Sequence, residues 1–247
     1  MSKNSSDTAE VYELSKNQSF YFNCHPRVPC FTDCCRQLEL EVTPYDVLRL
    51  KKELGLTGRQ FLEKYVDILQ SRDSVFPRCF LKMNNNEEAT CPFLTSEGCR
   101  VYEGRPAACR IYPLGRGAWR DKQGNFHSTY VLLKEDHCLG FTEECRQTVN
   151  RWLQNQYLIP YNKANDHLMT LLYHPVLKTG FRLSVRQSRL YIETLYHLEE
   201  LRKKLREDTG VNMSDVSLLN YGINWLKMEL FDTSGCSWHG NRQAGQE

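Results

Sequence analysis

The sequence predicts an α+β fold, mostly helical: a small irregular and β-containing cysteine-rich core with packed helices, followed by a helical C-terminal part. Three observations predict it. Cysteines gather in short segments rich in proline and glycine, so they sit on bends and not inside long regular elements. Short runs that alternate apolar and polar residues flank these segments, as the strands of a small sheet do. The last third instead repeats leucines at helical spacing. The expected organisation is a flexible leader over 1–18, a cysteine-cluster domain over 19–158, a helical region over 159–231 packed on it, and a polar tail over 232–247.

Taken in order, residues 1–18 are polar with little periodicity, and 19–24 alternate enough for a short strand or an extended entry into the first cysteine group. Pro26 and Pro29 between Cys24 and Cys30 demand a loop, because neither a helix nor a paired strand tolerates two prolines so close together. Residues 38–42 alternate like a strand. Thr43 then caps a helix with Pro44 at its first position, and Gly55 ends it. Thr57 with Gln60 forms a capping box for a second helix, whose buried face is expected to run from Phe61 through Leu69. A strand around Cys79 is expected to form a hairpin with the approach to Cys91, through the turn 84–88. The chain is irregular from 91 to 113. Residues 115–124 and 126–133 suggest a small sheet beside it. Helices are expected over 142–156, 162–174, 185–207 and 214–231.

Composition excludes some functions. Apolar residues make up 40% and charged residues 25% of 247 positions, which is ordinary for a globular protein able to bury a core. A net charge of +2 is too small to argue for nucleic acid or an anionic membrane. No apolar run approaches the roughly 20 residues of a membrane helix. The first ten residues hold no apolar stretch, so no secretory signal is expected and the compartment is read as cytoplasmic.

Eleven cysteines in such a setting point to metal and not to disulfides. The first group is Cys24, Cys30, Cys34 and Cys35; the second is Cys91, Cys99 and Cys109, with Cys138 further on. Thiolates that must converge on one point from different directions belong on turns, and these do. Spacing leaves the metal open: neither the Cys-x2-Cys knuckles of a zinc ribbon nor the bacterial ferredoxin run is present. One centre needs four thiolates and two need eight. Arg36, Arg100 and Arg110 directly follow cysteines, where guanidinium charge would offset thiolates or simply meet solvent. Arg105 is read first as a loop brace, and Pro106 as the residue that shapes the turn presenting Cys109. Cys79 and Cys145 are read as packed thiols, Cys236 as a free cysteine, and His137 as an alternative ligand.

Cys30-x3-Cys34-Cys35, followed by Cys99-Arg100-Val101-Tyr102-Glu103-x-Arg105-Pro106-x-x-Cys109-Arg110, resembles the YkgJ-type cysteine-cluster (CxxCxxCC) family. The resemblance spans about half the chain. It implies zinc or iron chelation, with Cys24 or Cys30 as the first ligand and Cys91 and Cys138 at family cysteine positions. It also implies a relation to flagellin lysine N-methylases, which the resemblance associates with an iron–sulfur cluster.

Three functions follow as expectations. The first is a cytoplasmic protein holding one or two thiolate-ligated centres, iron–sulfur (4Fe–4S) favoured over zinc, with no nucleic acid or membrane partner. The second is a protein lysine N-methylase using S-adenosylmethionine and a protein substrate, which rests on resemblance alone. The third is a structural metal with a helical interaction surface. No phosphate-binding loop, nucleotide-fold glycine pattern or nucleophile elbow is present, and no catalytic residue can be assigned.

Overall fold

A computed structural model describes residues 10–231. Of the described residues 45% are helical and 19% are in strands, so the mixed, mostly helical class is the one the chain adopts. The tail over 232–247, with Cys236, lies outside the described residues.

The helical starts follow their caps. Thr43 accepts from the Asp46 N–H and Asp46 reaches back to the Thr43 N–H, opening α1 (Pro44–Glu53); Thr57 and Gln60 do the same for α2 (Gly58–Tyr65). Gly55, at φ 65°, turns the chain between them. The expected run of α2 to Leu69 is not formed. Val66–Leu69 leaves the helix as strand β3, and Leu69 is exposed. A β-branched Val66 and Ile68 suit the ladder offered by β4 (Arg78–Leu81), which pairs antiparallel from Val66 opposite Leu81 to Leu69 opposite Arg78. The strand around Cys79 therefore pairs with the preceding segment and not with the approach to Cys91. Residues 38–42 contribute a single bridge, Glu41 opposite Phe80.

Three antiparallel strands form the main sheet, in the order β1 (Glu10–Leu14), β8 (Phe126–Lys134), β7 (Leu114–Arg120). Tyr12 stands opposite Leu132, and Leu132 opposite Leu114. The expected loose leader is thus ordered from Glu10 onward: β8 has a free edge, and the ladder supplies what the polar sequence of β1 does not advertise. Residues 142–156 are likewise not one helix. Arg146–Thr148 is strand β9, paired with β2 (Ser19–Tyr21), and Thr148 then caps α4 (Val149–Asn155) by accepting from the Arg151 N–H. A two-residue hairpin, β5 (Leu94–Thr95) with β6 (Gly98–Cys99), and the short helix α3 (Ala107–Ile111) lie between.

The last third is helical: α5 (Leu158–Leu172), α6 (Val185–Tyr196), α7 (Leu198–Thr209) and α8 (Asp215–Phe231). The single helix expected over 185–207 breaks at His197. There α2 presses end-on against the chain: a Cβ on Gly58 would lie 2.0 Å from the Tyr196 carbonyl oxygen, and the Gly58 N–H donates to the Glu199 carboxylate at 3.2 Å.

Buried apolar side chains form two clusters. The larger joins α1, α2, β3 and β4 to α5–α8, around Leu50, Phe61, Leu171, Leu195, Leu218 and Ile223. The smaller centres on Phe22, Leu114, Val149, Trp152 and Leu158. Phe22 meets Tyr112, Phe141 and Trp152 edge-on at 5.0–5.9 Å, contacts worth about 0.5–1.5 kcal/mol each beyond burial. Among the described residues no helix is long and apolar enough to cross a membrane.

Candidate metal centre

Cysteines 24, 30, 34 and 35 lie on a chain of tight turns. Val28 N–H donates to the His25 carbonyl, Phe31 to Val28, Asp33 to Cys30 and Cys35 to Thr32, each at 2.9–3.1 Å. The prolines make this winding loop, and buried Val28 anchors it. Thr32, at φ 73°, turns the chain into the short 3-10 segment Asp33–Cys35.

The second group is built on three supports. Cys91 N–H donates to the Cys35 carbonyl at 2.8 Å, fastening the two groups together. Cys99 pairs with Leu94 across the β5–β6 hairpin, and Arg100 N–H donates to the Phe93 carbonyl. Cys109 rides on α3. That helix begins where the Ala107 N–H donates to Asp46 Oδ1 at 2.8 Å, while Asp46 Oδ2 accepts from the Thr43 N–H and hydroxyl at 2.8 and 2.7 Å. Asp46 is buried, and desolvation raises its carboxyl despite these donors.

Arg105 and Arg110 are braces. Arg105 donates to the Tyr102 carbonyl at 2.6 Å and to the Gln156 side chain, with its guanidinium 3.6 Å from the Tyr102 ring centroid. Arg110 donates to the carbonyls of Arg105, Gln156 and Glu103 and lies over the Tyr161 ring. Both tie the 102–110 loop to the end of α4. Arg36 meets Asp33 and Glu88 at the surface, and Arg100 donates to the Tyr65 hydroxyl at 3.0 Å.

The remaining thiol of the site, Cys138, sits on the loop before a 3-10 segment at Leu139–Thr142. The Asn23 N–H donates to the Gly140 carbonyl at 3.0 Å, and the Leu139 N–H donates to Cys30 Sγ at 3.1 Å. His25 reaches Glu143 at 3.0 Å. The Cys138 loop is therefore stitched to the Cys24–Cys30 loop.

The described cysteines are free thiols. Cys91 is buried; Cys30, Cys35, Cys99 and Cys138 are partly exposed; Cys24, Cys34 and Cys109 touch solvent. Desolvation of its sulfur, followed by Cys91, Cys99 and Cys34, pushes Cys109 up to about 12. Partial burial, then Cys34, Cys138 and Cys30, push Cys24 up to about 11. Cys34 and Cys35 share a hydrogen bond that lowers Cys34 to about 7 and, with burial, raises Cys35. Burial, then the neighbouring Cys138 and Glu135, raise the Tyr112 phenol. His137, 3.9 Å from the Glu135 carboxylate, is close enough to Cys34 to favour its thiolate.

The structure thus brings all eight predicted cysteines into one region from four parts of the chain: the turns over 24–35, the 91–99 segment with its β5–β6 hairpin, α3, and the loop at Cys138. It does not close them into a finished ligand sphere: among the described residues, no three His, Cys, Asp or Glu side chains stand close enough to hold one metal ion. The donor chemistry fits a thiophilic metal, since the groups acting on one another are thiols, with the Arg105 guanidinium acting on Cys24 and Cys99. Cys79 lies apart, fully buried on β4 beside Tyr191 and Tyr196 and pushed up to about 12 by burial. Cys145 lies on the loop before β9 and not on a helix, where it accepts from the Gln147 side chain at 3.1 Å.

Sequence reasoning missed Asp46, Gln156, Tyr112 and Tyr161. Thr43 was legible as a cap; the bond from Ala107 to Asp46 was not, because it spans 61 positions.

No curated protein and no solved structure matches the chain. The CxxCxxCC family, described as a "putative zinc- or iron-chelating domain", matches residues 23–146, half of the chain and the whole span from Cys24 to Cys145. With that match and this array of thiols, the chain belongs to the CxxCxxCC family of metal-binding cysteine-cluster proteins.

Proposed function

We propose that the chain binds metal through Cys24, Cys30, Cys34, Cys35, Cys91, Cys99, Cys109 and Cys138, as iron–sulfur in preference to zinc. The observation that carries this reading is the gathering of eight free thiols from four segments of the chain, with the Arg105 charge acting on Cys24, Cys99 and Cys109. A fixed guanidinium offsets the negative charge of a thiolate-ligated cluster and is one of the levers that sets its potential. The sequence, in addition, lacks the Cys-x2-Cys knuckles that zinc ribbons use. An iron–sulfur centre supplies one-electron transfer when bound. The chain's own residues hold the thiols at the ends of braced loops, with Asp46, Arg105 and Arg110 fixing the segment that carries Cys109. A cytoplasmic setting goes with the reading, because a reducing compartment keeps such thiols free for metal.

Purification without oxygen, followed by metal and sulfide analysis, tests it. Brown protein with broad visible absorption, iron and acid-labile sulfide is the expected result. Zinc without iron would overturn the iron–sulfur preference, and protein free of both metals would overturn the metal reading.

A further inference from the structure

Two thiols far apart in the chain are held side by side by the fold itself. The Leu139 N–H donates to Cys30 Sγ at 3.1 Å. Two backbone bonds link that nitrogen to the Cys138 Cα, so the Cys30 sulfur lies within about 6 Å of it, a span that side-chain rotation can close. The two thiols also act directly on one another. Their loops are fixed together by contacts in which neither sulfur takes part. The Asn23 N–H donates to the Gly140 carbonyl and His25 reaches Glu143, both at 3.0 Å, and Phe22 meets Phe141 edge-on at 5.0 Å. A Cβ on Gly140 would fall 2.6 Å from the Phe22 ring and 2.9 Å from the Asn23 carbonyl oxygen, so the Cys138 loop is pressed onto the entry to the first cysteine loop.

Other pairs are less suited to a bond. Cys34 and Cys35 are consecutive, with Cα atoms about 3.8 Å apart, below the roughly 4.4 Å at which disulfide spans begin. Cys35 and Cys91 are joined through their backbones, but Cys91 is buried. Cys30 and Cys138 are both partly exposed, within reach of an oxidant in solution.

We propose that Cys30 and Cys138 are a reversible dithiol–disulfide pair, closed in the metal-free chain by hydrogen peroxide. One thiolate attacks the peroxide O–O bond, becoming a sulfenic acid as the first water leaves; the second thiolate displaces the sulfenic hydroxyl as another water and forms the S–S bond. Two thiols lose two electrons, and the peroxide gains them. A dithiol reductant reverses the step by exchange. In a reducing compartment such a bond is transient and reports oxidation. The pair itself stands without the metal reading; resting on that reading is its consequence, that oxidation withholds two of the eight thiols and so switches metal loading off.

The test treats the full-length wild type, stripped with a chelator and reduced, with one equivalent of hydrogen peroxide, then alkylates and maps it by mass spectrometry without reduction. A peptide pair linked through Cys30 and Cys138 is expected, with free thiols falling by two per chain and returning with dithiothreitol. Either cysteine linked to a different one, or both alkylated, would overturn the pair. The oxidised chain should also take up less iron or zinc than the reduced chain. Equal uptake by a chain that carries the bond would overturn the switch alone; a reduced chain that binds neither metal would refute the underlying metal reading as well.

Discussion

Asp46 shows how one buried carboxylate can set a site it does not belong to. It accepts three hydrogen bonds, two from Thr43 and one from Ala107, and so joins the start of α1 to the start of the helix that carries Cys109. Asp46→Ala leaves the Ala107 N–H without its partner and the Thr43 cap half made. A loss of about 2–3 kcal/mol is expected, from one cap and one charged hydrogen bond. Urea unfolding would register it as a lower midpoint at unchanged slope; a shift worth less than about 0.5 kcal/mol would show that this carboxylate does not hold the loop. Glu199 makes a different prediction. Burial pushes its carboxyl up, but the hydrogen bond from Lys51, with the Gly58 N–H, outweighs it and holds the folded value below the ordinary one. Its stabilisation is therefore complete above the unfolded value of about 4.3 and is lost as pH falls through the folded value. Because Glu199 is partly exposed, Glu199→Gln should cost no more than about 1 kcal/mol near neutrality. The gap to wild type should narrow on acidification, and a gap that widens in acid would refute the assignment.

Among the elements, α2 meets α6 and α7 at close range. The α2 N-terminus meets the chain where α6 ends, with no room for a side chain at Gly58: an added Cβ would fall 2.0 Å from backbone, which cannot rotate away. Gly58→Ala should lower stability by about 1–3 kcal/mol through overpacking, although alanine is the better helix former. Thermal melting checks it; a neutral or raised midpoint would mean that α2 and α6 can separate at little cost. The same junction explains the break at His197. Leu190, Leu195, Leu198, Leu201 and Leu205 supply a continuous helical stripe, but contact with α2 takes precedence over continuity. Strand β3 illustrates the converse case. Its short apolar run fits a helix or a strand equally, and the free edge of β4 decides.

At the scale of the whole molecule, the larger apolar cluster draws mainly on helices α1, α2, α5, α6 and α8, while the thiol loops lie along its side and over the smaller cluster. Stripping metal with a chelator should therefore loosen the loops around 23–36 and 91–145 and leave the helical part folded. Hydrogen exchange followed by mass spectrometry would show protection lost in those loops and retained in α5, α6 and α8; uniform loss across the chain would mean that metal holds the entire fold. Much of this architecture was legible in the residues themselves. Thr43 and Thr57 mark helix starts, Gly55 marks a stop, the prolines force the first loop, and the cysteines on turns, with Cys109 in the Arg105-Pro106-x-x-Cys109-Arg110 segment, announce thiolate chemistry. These are local signals: a cap, a turn or a ligand type is fixed by neighbours a few positions away. What only the tertiary structure decided is pairing. It ordered β1 on β8, set β9 against β2, split the long helix at His197 and placed Cys138 beside Cys30 and Cys91 beside Cys35. Spacing along the chain limits how far two thiols can be apart, but their direction depends on which core each loop is anchored to, and that is settled by contacts between residues tens to more than a hundred positions apart.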